Sequence, residues 1–127
     1  MKTHKVVRIK VCCDKLILVQ SHQIVKATGG RRDRKFPNIS ETIELGEYPI
    51  NAAVRGIQEE LGGLNIDTER FTLIGFFEEI KPSPTTGEIK QYLFWDYSLE
   101  LTPDEAEKVP LETDEGEVIT YFEWRPQ

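Results

Sequence analysis

The chain has 127 residues, of which 39% are hydrophobic and 30% are charged. No apolar run approaches the length of a membrane span and the N-terminus lacks a secretory signal, so we expect one cytoplasmic domain over residues 1–127 with no membrane partner. The two cysteines, Cys12 and Cys13, are adjacent, which argues against a disulfide framework and, with only two histidines, against a zinc site.

The charge is divided unevenly along the chain. Residues 1–36 hold ten Lys and Arg against two Asp, whereas residues 37–127 hold six Lys and Arg against twenty Asp and Glu. The sequence contains no continuous basic face, so duplex nucleic acid is not an expected ligand. A small polyanion could lie between basic residues and a metal held by acids. The alternative is two solvated faces of opposite charge that attract each other.

The N-terminal third predicts strands. Apolar residues alternate from Val7 to Val11, and the pair Asp14-Lys15 then turns the chain into Leu16–Val19, which together indicate a hairpin. A second short strand is predicted over Ile24–Thr28. The stretch that follows Gly29-Gly30, residues 31–35, is the most basic of the chain, and we expect a loop there.

The centre and the end of the chain predict one helix and further strands. Pro49 suits the first helical position, residues 53, 57 and 61 share one apolar face, and Gly62-Gly63 is a stop signal, so a helix is predicted over Pro49–Leu61. The remaining elements are strands at residues 71–80, 88–101 and 118–124, a polar loop at 82–87, and a short capped helix beginning near residue 102. These elements predict an α/β domain with a mixed sheet.

The predicted helix carries a group of acidic residues that could do chemistry. Glu59 and Glu60 are about 100° apart on a helix, so both could border one cleft and would repel unless a cation lay between them. Glu47 lies just before the helix. The alternative is a solvated helix face, on which Arg55 and Glu59 form an ordinary i,i+4 ion pair.

The spacing of these residues resembles the Nudix box, G-x5-E-x7-R-E-U-x-E-E-x-G-U, in which U is aliphatic. Six residues are in register with it: Glu47, Arg55, Ile57, Glu59, Glu60 and Gly62. A late Glu seven residues before a Trp, here Glu117 and Trp124, is also similar to Nudix proteins. The resemblance covers most of the chain and places it in the Nudix hydrolase superfamily.

The resemblance implies an α/β/α sandwich that hydrolyses a nucleoside diphosphate linked to another moiety, with Mg²⁺ or Mn²⁺ as cofactor. By position, Glu59 and Glu60 would be metal ligands, Glu47 would pair with or orient Arg55 and support the metal shell, and Glu117 would complete the metal site. These four residues of the box, Glu47, Arg55, Glu59 and Glu60, are the expected catalytic residues.

Three features depart from the pattern of the family, two of them in the box. The opening Gly is Glu41, the Glu that follows the box Arg is Gly56, and a closing helix after Trp124 is missing from the sequence. Because Gly56 lacks a carboxylate that binds metal or acts as general base in several members, the base must come from elsewhere. The candidates are Glu44, Glu78, Glu79, Glu88 and Glu115. The missing helix would leave part of the sheet bare, so we expect a homodimer.

Substrate contacts are expected from the basic stretch and from aromatic side chains. Arginines bind phosphates and aromatic rings stack on bases. The candidates for phosphate are Arg31, Arg32, Arg34 and Lys35, and those for a base are Phe36, Tyr92, Phe94 and Trp95, of which Arg32, Arg34, Phe36 and Phe94 are the principal choices.

Three functions are consistent with this pattern. The first is a metal-dependent pyrophosphohydrolase with an altered box. The second, which Gly56 favours, is a module with the same fold that binds a nucleotide or phosphorylated metabolite without cleaving it. The third is the isomerase branch of the fold, which needs an active-site Cys, and Cys12 and Cys13 have no evident acid partner.

Overall fold

The computed structural model describes residues 2–83 and 85–127, including all their side chains except that of Lys35. Strands come first in chain order: β1 (Lys2–Cys13), β2 (Leu16–Val25), β3 (Arg31–Phe36) and β4 (Ile39–Thr42). The helix α1 (Pro49–Glu60) and a 3₁₀ turn (Thr68–Arg70) follow. The chain continues through β5 (Phe71–Pro82), β6 (Ile89–Glu100), the helix α2 (Pro103–Glu107), β7 (Glu112–Asp114) and β8 (Val118–Pro126).

Within the described residues, eight strands form one mixed sheet. Its order is β5-β6-β1-β2-β8-β7, with β3 paired to β2 and β4 paired to β1. The β1–β6 pair is parallel and the other pairs are antiparallel. With α1 packed on the sheet, this arrangement confirms the predicted α/β class.

The core lies between α1 and the sheet. Alternation in β1 buries Val7, Ile9 and Val11, while Arg8 and Lys10 stay partly exposed. From α1, Ile57 and both alanines of the first turns pack against this row. The predicted apolar face of the helix is therefore confirmed. Its packing against the strands fixes the position of the opposite face of α1 relative to the sheet.

The basic stretch at residues 31–35 is a strand, where the sequence predicted a loop. It pairs antiparallel with β2, in the register Gln23 to Arg32 and Ile24 to Arg31. Its side chains can remain charged because their described atoms are largely exposed to water. The predicted short strand at Ile24–Thr28 is also wrong, since Ile24 and Val25 are the end of β2 and residues 26–28 form a turn.

The predicted capped helix near residue 102 is confirmed. Thr102 Oγ1 accepts a hydrogen bond from the backbone N–H of Glu105, and Glu105 Oε1 accepts one from the backbone N–H of Thr102. The Glu105 carboxylate also binds Arg70 through two hydrogen bonds of 2.6 and 3.0 Å. This pair joins α2 to the chain segment before β5 and, mainly through the Arg70 hydrogen bonds, lowers the pKa of Glu105 to about 2.

We expect Glu105→Gln to destabilise the protein by about 1 kcal/mol at pH 7, because the amide keeps the capping box but loses the ion pair. The native pKa lies below the ordinary value of 4.5, so the pair stabilises the fold above that pH. The difference between the two proteins should disappear as the pH falls towards about 2. Urea unfolding at several pH values measures it, with the exposed Glu107→Gln on the same helix as control. A difference that persists at pH 2 would contradict this account.

Candidate functional site

The end of α1 positions Glu60. Gly62 and Gly63 have φ values of +65° and +83°, and the N–H of Gly63 donates to the carbonyl oxygen of Gln58 at 2.8 Å. This glycine cap ends the helix directly after Glu60. The Thr113 hydroxyl donates to the Glu60 carbonyl oxygen at 2.9 Å and so ties β7 to the last turn of α1.

That tie brings Glu115 to Glu60. Both carboxyl groups line the same pocket, and Glu60 Oε2 is buried without a hydrogen-bond partner among the described residues. Burial first, and then the Glu115 carboxyl group, raises the pKa of Glu60 to about 8. In the absence of a cation, Glu60 therefore keeps its proton at neutral pH.

Glu115 is held in place by two buried polar side chains. Its Oε2 atom accepts a hydrogen bond from Thr120 Oγ1 at 2.7 Å and a longer one from Gln23 Nε2 at 3.4 Å. Gln23 Nε2 also donates to Thr120 Oγ1 at 3.0 Å, and Thr120 is completely buried. Because these residues belong to β2 and β8, the sheet itself orients the carboxyl group.

The Glu60–Glu115 pair lies at a polar pocket of about 240 Å³. Arg34 donates to Gln20 Oε1 at 3.1 Å, and its guanidinium lies 5.4 Å from the centre of the Phe36 ring. A cation and an aromatic surface therefore face the acidic pair. The described residues that line the pocket are Gln20, Gln23, Arg34, Phe36, Asn38, Ile39, Ser40, Glu60 and Glu115.

Arg55 forms hydrogen bonds with other acidic residues of this region. Glu47 accepts hydrogen bonds from Arg55 Nε at 3.0 Å and from Nη2 at 2.9 Å, which confirms the predicted pairing. Glu41 Oε1 accepts from Arg55 Nη1 at 2.9 Å, and the carbonyl oxygen of Thr42 accepts from Nη2 at 2.7 Å. The hydrogen bonds from Arg55 lower the pKa of Glu47, whereas burial raises that of Glu41.

Glu59 and Glu60 differ in their surroundings. Glu59 is 54% exposed and its Oε1 lies 3.5 Å from Arg55 Nη1, so the predicted i,i+4 pair is present. Only Glu60 lines the pocket described above. A larger cavity of about 530 Å³ lies against the helix face that carries Asn51, Val54 and Gln58, and neither Glu59 nor Glu60 lines it.

Of three comparisons with known proteins, only the comparison with solved structures finds similar proteins. No family model and no curated protein matches the chain. Among solved structures, a MutT/nudix family protein from Enterococcus faecalis is similar with a TM-score of 0.64 and 13% identity, over 99% of this chain. A NUDIX family hydrolase from Clostridium perfringens has a TM-score of 0.57 and 18% identity, over 99% of this chain and 83% of its own.

The chain has the Nudix fold. The dihydroneopterin triphosphate pyrophosphohydrolase of E. coli is also similar, with a TM-score of 0.51 and 18% identity over 94% of this chain and 80% of its own. The chain spans only 44% of the length of the Enterococcus faecalis protein. On this Nudix fold, the residues that match the box form the turn before α1, α1 itself and the glycine cap after it.

The structure separates the predicted site residues into two groups. It brings Glu60, Arg34 and Phe36 to one pocket, with Glu59 and the Arg55–Glu47 pair beside the same helix. Glu117 is not among the residues that line this pocket, whereas Glu115, two residues earlier on the same turn, lines it together with Glu60. The predicted role of Glu117 in the metal site stays a prediction.

Two predicted substrate residues lie elsewhere. Arg32 is exposed on β3 and is not among the residues that line the pocket. Phe94 lies on the sheet face opposite the core and carries the Arg8 guanidinium 4.1 Å from its ring centre. The Lys35 side chain is outside the described part of the structure.

The other candidates for the general base also have separate surroundings. Glu78 accepts a hydrogen bond from Gln91, and Glu79 pairs with Lys81, both within the β5–β6 hairpin. Glu88 is exposed next to the same hairpin loop, and Glu44 is exposed 3.9 Å from Arg55. Of the five candidates, Glu115 alone lines the pocket with Glu60.

The acidic pair fits a divalent cation. Among the residues that the structure describes, no three His, Cys, Asp or Glu side chains are grouped as ligands of one ion. Mg²⁺ is nevertheless usually bound by one or two carboxylates, because waters and substrate phosphates supply the other oxygens. Two facing carboxyl groups with a buried, unpartnered oxygen meet that requirement.

The raised pKa of Glu60 predicts how the stability of the metal-free protein depends on pH. Between pH 4.5 and about 8, the native protein holds a proton that the unfolded chain has lost, so the free energy of unfolding should fall as pH rises. Glu60→Gln should flatten this dependence and should be more stable than the wild type at pH 9. Denaturant unfolding in the presence of a chelator measures both. Parallel curves for the two proteins would contradict the raised pKa of Glu60.

Proposed function

We propose that this protein is a metal-dependent hydrolase of a nucleoside diphosphate linked to another moiety. The observation that carries the proposal is the buried, unpartnered oxygen of Glu60, beside Glu115 and opposite the Arg34 and Phe36 side chains. The Nudix fold supports it, as does the pyrophosphohydrolase activity named for the similar E. coli protein.

The size of the pocket indicates how the substrate would bind. At about 240 Å³ it is smaller than the pockets of about 300–1,000 Å³ that enclose drug-sized ligands. We therefore place only the phosphates inside it, where Arg34 can pair with them. Phe36 is 54% exposed at the rim, where it can stack on a base.

The metal would be held by Glu60 and Glu115, with Glu59 at the exposed rim. Bound there, Mg²⁺ or Mn²⁺ would neutralise the diphosphate, acidify a water and displace the proton of Glu60. Glu47 keeps Arg55 in place through two hydrogen bonds, and so maintains the cationic neighbour of Glu59 and Glu41.

Glu115 is our choice for the general base. Thr120 and Gln23 fix the orientation of its carboxylate, so it can accept a proton at a defined position in the pocket. In the reaction, the oxygen of a water would form a bond with one phosphorus, and one proton of that water would pass to Glu115. The bond from the same phosphorus to the bridging oxygen would break, and its electron pair would leave on the bridging oxygen of the released phosphate.

Hydrolysis of a substrate panel tests this function. The panel contains nucleoside triphosphates, dinucleoside polyphosphates, nucleotide sugars and dinucleotides, each with Mg²⁺ or Mn²⁺. Glu60→Gln and Glu115→Gln should each reduce turnover by about 100-fold or more. Glu117→Gln is the matched control, an exposed carboxylate two residues away, and should behave as the wild type. Binding without turnover would support the binding module that Gly56 favours, and equal loss in all three variants would refute the assignment of Glu115.

The homodimer is a further part of the proposal. The strand β5 is at the end of the sheet and carries a row of apolar side chains that are each more than half exposed: Leu73, Ile74, Phe76, Phe77 and Ile80. A long apolar edge strand favours pairing with another chain. A second copy would cover this surface.

Light scattering after size exclusion tests the dimer. The wild type should have twice the chain mass of 14.6 kDa. Ile80→Lys should shift it to the monomer because an edge lysine opposes strand pairing. Thr72→Lys, which adds the same charge at an exposed polar position of β5, is the control. A wild type that is monomeric at every concentration would exclude the dimer.

Two further proposals concern the whole chain. Cys12 and Cys13 are both buried and free, which supports a reducing, cytoplasmic location. The described elements share one sheet and one core, which supports a single domain over residues 1–127. None of the helices in the described residues has the length and apolar character of a membrane span.

A further inference from the structure

Position 56 is occupied by Gly because a neighbouring side chain fills the space beside it, and not because the backbone there requires a positive φ. It is buried in the interior of α1, and its φ is not in the positive range that six other glycines of the chain adopt. Glycine at an interior helix position costs about 1 kcal/mol relative to Ala. A backbone requirement does not explain this cost, so the explanation has to come from the space around the residue.

Glu41 fills that space. A Cβ atom added to Gly56 would lie 3.2 Å from Glu41 Cβ, 3.5 Å from its Cγ and 3.7 Å from its Oε2. The first of these contacts is closer than most contacts of a Cβ atom, so a side chain at position 56 would require Glu41 to move. Glu41 therefore brings its carboxylate, from β4, to the surface of the helix where Gly56 carries none.

The Glu41 carboxylate belongs to the acidic cluster of the site. Arg55 Nη1 binds its Oε1 atom at 2.9 Å and lies 3.5 Å from Glu59 Oε1, and Gly56, against which Glu41 packs, is four residues before Glu60 on α1. Its side chain is 19% exposed, so the β4 backbone and α1 hold it in one position. The unpartnered Glu60 Oε2 independently indicates that this cluster is built for a ligand of positive charge.

The two departures from the box pattern are an exchange of the same two residue types. The pattern has Gly where this chain has Glu41, and Glu where this chain has Gly56. We propose that Glu41 is the carboxylate that replaces the one missing at position 56, so that the cation site receives it from β4 instead of from the helix. This inference rests on the proposed metal-dependent function and assigns one more of its cation-binding residues.

A structural role alone is the competing explanation. Glu41 could serve only to hold Arg55, with no effect on a cation. The two explanations differ for Glu41→Gln, because the amide oxygen still accepts a hydrogen bond from Arg55 Nη1 but the negative charge is lost. The two explanations also predict different results for the double variant Glu41→Gly, Gly56→Glu. This exchange would return a carboxylate to the helix and remove the close contact between positions 41 and 56.

Mn²⁺ binding in a mutant cycle tests the proposal, with the free Mn²⁺ signal in electron paramagnetic resonance as readout and thermal unfolding as a check of folding. Glu41→Gly and Glu41→Gln should each weaken Mn²⁺ binding by about 10- to 100-fold. Gly56→Glu alone should lower the melting temperature, because its Cβ atom meets Glu41 at 3.2 Å. The double variant Glu41→Gly, Gly56→Glu should recover most of the lost affinity, a non-additive result. Glu107→Gln controls for the loss of one surface charge.

Two results would overturn the role of Glu41. One is Mn²⁺ affinity in Glu41→Gln equal to that of the wild type, and the other is a double variant that binds no better than Glu41→Gly. In both cases the wild type would still bind Mn²⁺ and the proposed function would stand. Failure of the wild type to bind Mn²⁺ would instead reject the metal-dependent function, and the role of Glu41 with it. Glu41→Gln and the double variant keep the test decisive even where Glu41→Gly does not fold.

Discussion

The site depends on the interactions that Arg55 makes at the surface of α1. This one guanidinium binds Glu47 from the turn before the helix, Glu41 and the Thr42 carbonyl oxygen from β4, and Glu59 from the next helical turn. Four acidic or polar groups from three chain segments therefore meet at one positive charge. Glu47 and Glu41 raise the pKa of Arg55, so its charge is constant across the physiological pH range.

The single positive charge of Arg55 does not balance the negative charges of the carboxylates in this region. Neither Glu60 nor Glu115 accepts one of the Arg55 hydrogen bonds described above, and burial together with the Glu115 carboxyl group raises the pKa of Glu60 to about 8. The buried, unpartnered oxygen of Glu60 is the group that a cation in this pocket would meet. The basic strand β3 faces the same pocket with Arg34, so the positive and negative parts of the chain meet where a phosphate and a metal could bind together.

The sequence predicted the elements whose signals are local. Pro49, the apolar spacing and the two glycines defined α1 to within one residue, and the match to the box predicted the Glu47–Arg55 pair. The sequence predictions failed where the structure of a segment depends on the strand with which it pairs. Strand β3 contains almost only charged residues, and it is a strand because β2 offers it a partner.

The contacts of the site that the sequence did not predict have the same physical cause. Whether Glu115 or Glu117 reaches Glu60 depends on the short β7–β8 pairing, which begins where Asp114 lies opposite Ile119, and on the Thr113 hydrogen bond to α1. The contact between Glu41 and Gly56 joins residues fifteen positions apart in different elements. The exchange of Gly and Glu between those two positions was visible in the sequence, but only the packing of β4 on α1 connects them.

The most direct measurement is the anomalous scattering of Mn²⁺ in crystals of the wild-type protein grown or soaked with MnCl₂. The account requires an anomalous peak between the carboxylates of Glu60 and Glu115, on the side of α1 that faces Arg34. A peak only in the larger cavity, beside Asp67 and Glu69, or no peak at Glu60 in a crystal that holds Mn²⁺ elsewhere, would contradict it.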